Sequence, residues 1–552
     1  SVLRQVDTLS AETAASALET AGVEAVAVVF LHAYRNPAHE QEVTALLRSR
    51  NGWFVCGSAE LSGELREFER TSTTVLNAAL MPLIDNYLTR LESGLAAAGS
   101  TASLFVTQSN GGALTPAAAR VRPVTLALSG PVAGVVACSR LGRAVGTSEL
   151  ICLDMGGTSA DVSIISGNQP QMTSELTIGE LPVRLPAVHV HSIGAGGGSI
   201  ASVDIGGALR VGPASAGAEP GPACYGRGGT APTVTDCQLH LGRLTEDFAL
   251  AGRLPLDANL ARGAIETLAE QLGMTVDDAA AGVIEVVNAA MEGAVRVALR
   301  SRGDDPRDFA LVAFGGAGPL HAAELAHRLS IDTIIVPPHP GTLSALGLLA
   351  ADVRLDFSAS ELHGSREDEL ATTMLSTYEA LARQAQAEMD GDDELRDRSC
   401  THEHSCDVRY AGQAYEVNVP VDLTSLEQRD TAAVFARFHE LHQQAYGFAS
   451  LEDECELVTM RLVVTVPIEK PPLDPVEVAS ESSVPTSRSV LVPSEGYVDV
   501  PIYRRDTLAP GATIDGPAVI HQTDTTTFVP RFAHVLVDEL SNLIISIDRA
   551  DA

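Results

Sequence analysis

Ile151, Cys152, Leu153, Asp154, Met155, Gly156, Gly157, Thr158, Ser159, Ala160, Asp161, Val162, Ser163, Ile164 and Ile165 form two apolar β-type runs joined by an acidic, glycine-rich turn. The pattern predicts a β-hairpin built to grip phosphate. Its first strand delivers Asp154 to the turn, where a carboxylate meets a metal ion or a water bound to one. Gly156 and Gly157 let the backbone approach an anion and aim N–H groups at it, and the hydroxyls of Thr158 and Ser159 add donors. The second strand carries the chain away beneath Asp161. An acidic hairpin of this kind also arises as plain structure, so its weight depends on the rest of the chain.

At 552 residues the chain is too long for one ordinary domain and is expected to hold three or four. Its 45% apolar residues, 47 glycines and only 4% aromatics suit an α/β protein of Ala, Val and Leu with many tight turns. A net charge of -34 repels a nucleic-acid backbone or an anionic membrane over most of the surface. A nucleotide would therefore need a local cationic or metal-assisted pocket. The 8 cysteines form no CxxC pair, which reads as reduced thiols in a cytoplasmic protein. No apolar run approaches the roughly 18 residues of a membrane span, and the first residues lack a basic segment leading into an apolar signal region.

Upstream of the hairpin the sequence already alternates helix and strand. Ala11 to Thr20 and Pro37 to Arg48 read as helices, Ala25 to Phe30 as a buried strand, and Thr71 to Leu95 as a long helix interrupted near Pro82. Phe105 to Gln108 and Val124 to Leu128 read as strands entering glycine turns at Ser109 to Gly112 and Ser129 to Pro131. Both turns suit a ligand and ordinary strand-to-helix loops equally well.

Downstream, alternation places His189 and His191 on one side of a strand feeding the loop Gly194, Ala195, Gly196, Gly197, Gly198. Two histidines so spaced share a metal or serve hydrogen bonding and proton transfer, although two alone make an incomplete metal site. Four glycines in five positions imply close backbone approach. Cys224, in a proline- and glycine-rich passage, is a candidate nucleophile weighed against a buried small thiol. Leu311 to Phe314 is a strand ending in Gly315, Gly316, Ala317, Gly318 and Pro319 before a helix, the way a doubly wound sheet approaches a nucleoside. His402, His404 and Cys406 make a second cluster just before a strand, read as surface histidines. From about residue 471 a proline-rich linker gives way to short strands and a small β-rich domain.

Taken together these segments resemble the hydantoinase A and 5-oxoprolinase family, with its N-methylhydantoinase, acetone carboxylase and acetophenone carboxylase subunits. The resemblance is carried by ERTSTTVLNA from Glu69, QSNGG from Gln108, SGPVAG from Ser129, LDMGGTSADV from Leu153, IGAGGGSI from Ile193, GPACYGRGG from Gly221, FGGAGPLHA from Phe314, RYAGQAYEV from Arg409 and GPAVIHQTDTTT from Gly516. It implies an α/β, actin-like ATPase fold of two ribonuclease-H-like halves closing over ATP. Residues 1–130 would then be the remainder of the first half, 131–355 the second half, 356–470 an α+β region and 471–552 the β-rich end. The family's earlier DxGGTxxD hairpin is not found in this sequence. Ser1 then corresponds to a point inside the first domain, as in a processed product, a split subunit, a truncated chain or a degenerate homologue.

The resemblance further implies ATP and Mg²⁺ as cofactors; a second divalent metal, Zn or Mn, stays an open choice at His189 and His191 on the spacing of those residues. Asp154 would hold Mg²⁺, Gly156, Gly157, Thr158 and Ser159 the transferring phosphate, and Asp161 the nucleophile or the metal's surroundings. Gly196 and Gly197 join the ligand-binding amides, Gly315, Gly316 and Gly318 form the adenosine-side turn, and His191 transfers a proton near the substrate carbonyl. Three functions stand: ATP-dependent opening of a cyclic amide through a phosphorylated carbonyl, ATP-dependent ketone carboxylation, and a non-catalytic nucleotide-binding or scaffolding subunit. The expected partner is a hydantoinase-B-type large subunit in a hetero-oligomer.

Overall fold

The computed structural model describes residues 4–50, 52–246, 252–300, 303–473, 475, 485–492 and 495–548. The chain divides into two compact units and passes between them more than once. One unit comprises Ser1–Val132, Met172–Val188 and Ala351–Glu469, the other Ala133–Gln171, His189–Ala350 and Lys470–Ala552. The α/β class expected from composition and motifs is the class observed.

In the first unit, a six-stranded sheet runs Val417–Pro420, Thr401–Tyr410, Cys455–Val466, Val353–Gly364, Ala113–Leu114 and Val106–Thr107 in spatial order. Strand Cys455–Val466 alternates buried and half-buried positions from Met460 onward, and it packs on the core that also takes Met374, Tyr378 and Leu381 of helix Leu370–Gly391. His402, His404 and Cys406 lie within strand Thr401–Tyr410, not before it. His402 is exposed, His404 packs edge-on to Tyr378 and Cys406 is buried. A second, two-stranded parallel sheet pairs Ala25–Val28 with Phe54–Gly57.

Two local expectations fail for physical reasons. Helix Glu67–Ala97 runs unbroken through Pro82. Proline costs a backbone hydrogen bond there, but Asn77, Ala78 and Met81 before it and Leu88 after it are all buried on the helix. Packing on both sides outweighs the local defect. The expected strand at Val124 is instead a 3₁₀ turn, Pro123–Leu126, and Ser129 opens a helix to Val145. Asn77 supplies the partners a strand would have found. Its Oδ1 accepts from the Val124 N–H at 3.2 Å and its Nδ2 donates to the Val121 carbonyl at 2.9 Å.

The second unit is built on a nine-stranded sheet. Its main order is His191–Ile193, Ala160–Ser166, Leu150–Met155, Ala310–Phe314, Thr333–Val336, Leu543–Ile547, Ala533–Val537 and Thr513–Asp515, with Gln169–Pro170 pairing off Ala160–Ser166. Leu150–Met155, Ala310–Phe314 and Thr333–Val336 are parallel, and each is almost wholly buried. That explains their unbroken apolar sequence: a parallel strand covered on both faces has no polar side. Helices Ala258–Leu272, Val276–Arg300 and Gly318–Leu329 contribute to the core around them. The last eighty or so residues do not stand apart. Thr513–Asp515, Ala533–Val537 and Leu543–Ile547 extend the central sheet, and Thr486–Val492, Gly496–Arg504, Ala518–His521 and Thr526–Val529 form a separate four-stranded sheet. Among the described residues, no helix is long and apolar enough to cross a membrane.

Candidate functional site

Parallel strands in open α/β sheets gather ligands at their carboxyl ends, and two such ends meet here. Asp154 lies beside Phe314 in the register of the adjacent strands Leu150–Met155 and Ala310–Phe314. The hairpin therefore turns next to the turn at Gly315. The hairpin itself is as expected: Asp154 pairs with Asp161 and Met155 with Ala160, and the Gly156 N–H donates to the Ser159 carbonyl at 3.0 Å across a tight turn. Gly157 and Thr158 at its tip are exposed, and a side chain at Gly156 or Gly157 would meet nothing within 4 Å. This side of the turn is open to a ligand.

Asp154 and Asp161 face each other across the hairpin on one side of the sheet, an arrangement that like charges disfavour. Burial, and then the Asp161 charge, push the Asp154 carboxyl up to about 6 against the pull of the Ser344 hydroxyl. Burial also raises Asp161, which the Ser192 hydroxyl opposes. Two opposed carboxylates beside an open glycine turn are a hard-oxygen donor set of the kind Mg²⁺ takes when it carries phosphate oxygens. The residues present fit that ion.

The glycine loop has a different task from the one expected. The Gly197 N–H donates to the Gly156 carbonyl at 2.9 Å and the Gly198 N–H to the Gly157 carbonyl at 2.7 Å. The Gly196 N–H is taken by Ser199 Oγ at 2.8 Å. A Cβ on Gly196 would lie 2.5 Å from the Thr158 nitrogen, and one on Gly197 would lie 2.9 Å from Thr235 Oγ1. Gly196 and Gly197 thus spend their amides inside the protein. Their lack of side chains lets the loop press against the hairpin turn from behind and fix its shape.

The histidines do not join the carboxylates. Strand Leu181–Val188 ends before His189, whose N–H donates to the Gln171 carbonyl, and a new strand opens at His191. The two are not neighbours on one strand because the chain changes sheets between them. His191 opposes Val162 while Ser192 opposes Asp161. Alternation then puts His191 on the face of Leu153 and Val162, opposite to Asp154 and Asp161. Burial and the neighbouring His191 lower the His189 pKa. Among the described residues, no three His, Cys, Asp or Glu side chains are placed to hold a metal ion. His191 therefore does not join Asp154 and Asp161 in one donor set. Cys224 is fully buried, and burial and Asp236 push its thiol up, the opposite of an activated nucleophile. All eight cysteines are free.

The turn after Phe314 is shaped by contact with the hairpin. Gly315 has φ +78°, and a Cβ there would collide with Asp154 Oδ1 and the Met155 carbonyl. The Ala317 N–H donates to that carbonyl at 2.9 Å. Helix Gly318–Leu329 starts from this turn and carries His321, fully buried. His321 Nδ1 lies 2.7 Å from Asn288 Oδ1, and Asn288 Nδ2 donates to Glu324 at 2.9 Å. Because the Asn288 amide donates to Glu324, its oxygen faces His321, so Nδ1 carries the ring proton. Nε2, 3.1 Å from Gln238 Nε2, accepts.

Burial lowers the His321 pKa to about 4. An unfolded chain binds a proton near 6.5 that the folded protein refuses until about 4. Stability is therefore complete above pH 6.5 and is lost as pH falls through this window, by on the order of 3 kcal/mol from this group. Calorimetric unfolding at stepped pH should show that decline. His321→Gln should be less stable at pH 7 and show a shallower decline.

Several residues at the site were not singled out from sequence: Ser192, Ser344, Asp524 and Thr525. Asp524 and Thr525 stand within the GPAVIHQTDTTT motif, so their signal was present without a location. Ser344 follows the PPHPG turn by only a few residues.

Comparison with known proteins places the chain in a family. The hydantoinase/oxoprolinase family model matches residues 70–357, its C-terminal domain residues 362–545 and its N-terminal region residues 1–50. The chain is 33% identical to the caprolactamase subunit alpha of Pseudomonas jessenii over 94% of its own length and 75% of that protein. It is 29% identical to the acetone carboxylase beta subunit of Xanthobacter autotrophicus, again covering 94% of this chain and 75% of the relative. The crystal structure of the ATP-dependent caprolactamase from Pseudomonas jessenii superposes with a TM-score of 0.88 at 31% identity, covering 100% of this chain and 80% of that one. A motif series in the expected order, a hairpin where one was expected and these matches over the whole chain lead to one assignment: the protein belongs to the hydantoinase/oxoprolinase family.

Proposed function

We propose that the protein opens a cyclic amide of the hydantoin, 5-oxoproline or lactam type at the expense of ATP, as one subunit of a larger assembly. The observation that carries this is the in-register pair Asp154 and Asp161 at an open glycine turn, adjoining the Gly315 turn at the ends of parallel strands. Similarity to a caprolactamase favours the amide over the ketone as substrate. The names of the relatives, which are those of subunits, favour an assembly with a partner chain, which we take to be a large subunit of the hydantoinase-B type.

An amide carbonyl is a poor electrophile, and phosphorylation changes that. The carbonyl oxygen attacks the γ-phosphorus, the bond to the β,γ-bridging oxygen breaks, and its electron pair leaves on ADP. The ring nitrogen loses its proton to give a phosphorylated imidate. Water adds to the imidate carbon, the ring amine leaves with a proton, and the resulting acyl phosphate is hydrolysed at carbon to carboxylate and phosphate. Asp154 and Asp161 would hold Mg²⁺, which neutralises charge on the transferring phosphoryl group. The backbone of Gly156 and Gly157 and the hydroxyls of Thr158 and Ser159 would hold that group's oxygens, and Gly315, Gly316 and Gly318 would lie on the nucleoside side.

The test is nucleotide turnover by the natively purified assembly with 5-oxoproline, hydantoins, lactams, or small ketones with bicarbonate. ADP formation that depends on a cyclic amide and matches ring opening one for one is expected. Dependence on ketone and bicarbonate would move the assignment to carboxylation. Silence from an intact, metal-loaded assembly would leave a nucleotide-binding scaffold.

A further inference from the structure

Three segments far apart in sequence converge behind Asp154. Asp524 Oδ2 accepts from the Gly341 N–H at 2.9 Å. The contact is close enough that a Cβ on Gly341 would lie 2.8 Å from the Asp524 Cβ and 2.9 Å from its carbonyl oxygen. The neighbouring Thr525 hydroxyl donates to the Gly316 carbonyl at 3.0 Å, and the Gly315 N–H donates to the Pro340 carbonyl at 2.9 Å. The loop at 524–525 thus grips both the Gly315 turn and the turn Pro340–Thr342, which are also bonded to each other.

The second turn leads directly into helix Leu343–Leu348, whose second residue, Ser344, donates to Asp154 Oδ2 at 3.3 Å. The helix packs closely on Ala133 and Gly134: a Cβ on Gly134 would lie 2.9 Å from Ser344 Oγ, and Gly347 of the same helix passes so near Ala133 that no side chain fits. A hydroxyl carried on a closely packed helix orients the carboxylate it meets.

We propose that Asp524 and Ser344 are positioning residues of the phosphate site: Asp524 clamps the Pro340–Thr342 turn, and Ser344, carried by that turn, holds the Asp154 carboxylate beside Gly315. The role presupposes the ATP-dependent reaction proposed above. Neither side chain needs to touch the reacting atoms. Together they make the carboxyl-terminal segment part of the site, since Asp524 arrives on the connection between strands Ala518–His521 and Thr526–Val529.

The experiment uses the complete assembly with Mn²⁺ in place of Mg²⁺ and reads kcat, the KM for ATP and the Mn²⁺ concentration for half-maximal activity. Ser344→Ala and Asp524→Ala should each lose about tenfold or more in kcat and require several-fold more Mn²⁺, with the ATP KM within about twofold. Asp524→Asn keeps an oxygen to accept from Gly341 and should stay within about threefold of the parent. An unchanged Mn²⁺ requirement in the folded variants overturns the proposal whatever kcat does, because a merely structural clip has no reason to alter metal binding. If Asp524→Ala does not fold, Ser344→Ala decides alone. Full activity in Asp154→Asn would instead bring down the phosphate site itself. Loss in Asp154→Asn with normal Ser344→Ala and Asp524→Ala would bring down only the positioning roles.

Discussion

Asp154→Asn should abolish ATP-dependent turnover while leaving the protein at least as stable as before. The activity loss is expected on the order of a thousandfold in kcat/KM, about 4 kcal/mol of transition-state stabilisation, the scale of removing a principal electrostatic contact from a phosphoryl-transfer site. The stability change has the opposite sign. Asp154 is half-buried, faces Asp161 in register and has its ionised form disfavoured by both. A neutral amide removes that repulsion, and its oxygen still accepts from Ser344. Steady-state kinetics on the assembly, paired with calorimetric unfolding of the same variant, checks both halves. A structural carboxylate gives the reverse pattern, with destabilisation and retained turnover. The combination of lost activity and undiminished unfolding temperature marks a residue held in place for chemistry against its own preference.

Gly315→Ala carries the second-largest expected effect, and here stability and function fall together. The backbone at Gly315 has φ +78°, which costs an L-residue about 1–2 kcal/mol. The added methyl also has no space. It would collide with Asp154 Oδ1 and with the Met155 carbonyl, the second of which is rigid backbone already accepting from the Ala317 N–H. Overpacking of this kind costs about 1–3 kcal/mol more. Because the clash is against Asp154 itself, relief means moving the carboxylate or parting two adjacent strands. Denaturant unfolding should show a loss of about 2–5 kcal/mol, and calorimetric titration with Mg²⁺ and a non-hydrolysable ATP analogue should show nucleotide binding reduced at least tenfold. Gly157→Ala makes the contrast. Nothing lies within 4 Å of a Cβ there, so the fold should be unaffected and any deficit confined to the ligand.

The hairpin was legible because its signal is local. Two apolar runs and a DMGGT turn specify two strands and the turn between them without help from the rest of the chain. The Gly315 turn was legible for the same reason. What the sequence obscured was non-local. His189 and His191 alternate as neighbours on a strand would, and only the change of sheet after Val188 separates them and turns His191 to the opposite face from Asp161. The glycine loop implied close backbone approach correctly, but the backbone approached is that of Gly156 and Gly157, and no sequence period distinguishes a protein carbonyl from a phosphate. Val124 was read from its own propensity, yet Asn77, from a different element, sets its conformation.

The division of the chain was harder still. Strand Ala113–Leu114 pairs with Val353–Gly364, and strand Leu543–Ile547 pairs with Thr333–Val336, so segments remote in sequence complete each other's sheets. Linker-like composition near residue 471 marks a change of unit without marking an independent domain. The same non-locality hid Asp524 and Ser344, each of which acquires its place only through Gly341 and Asp154.

The central claim is that phosphoryl transfer goes to the carbonyl oxygen of a cyclic amide, and an isotope measurement addresses it most directly. The assembly would be given ATP and a lactam substrate bearing ¹⁸O in the carbonyl, in unlabelled water, and the inorganic phosphate and the ring-opened acid analysed by mass spectrometry. The carbonyl oxygen becomes the bridge between carbon and phosphorus, and hydrolysis at carbon leaves it on phosphate, so ¹⁸O is predicted in the phosphate in one-to-one ratio with ring opening. Ring opening with the label wholly in the carboxylate, and none in phosphate, would contradict the account.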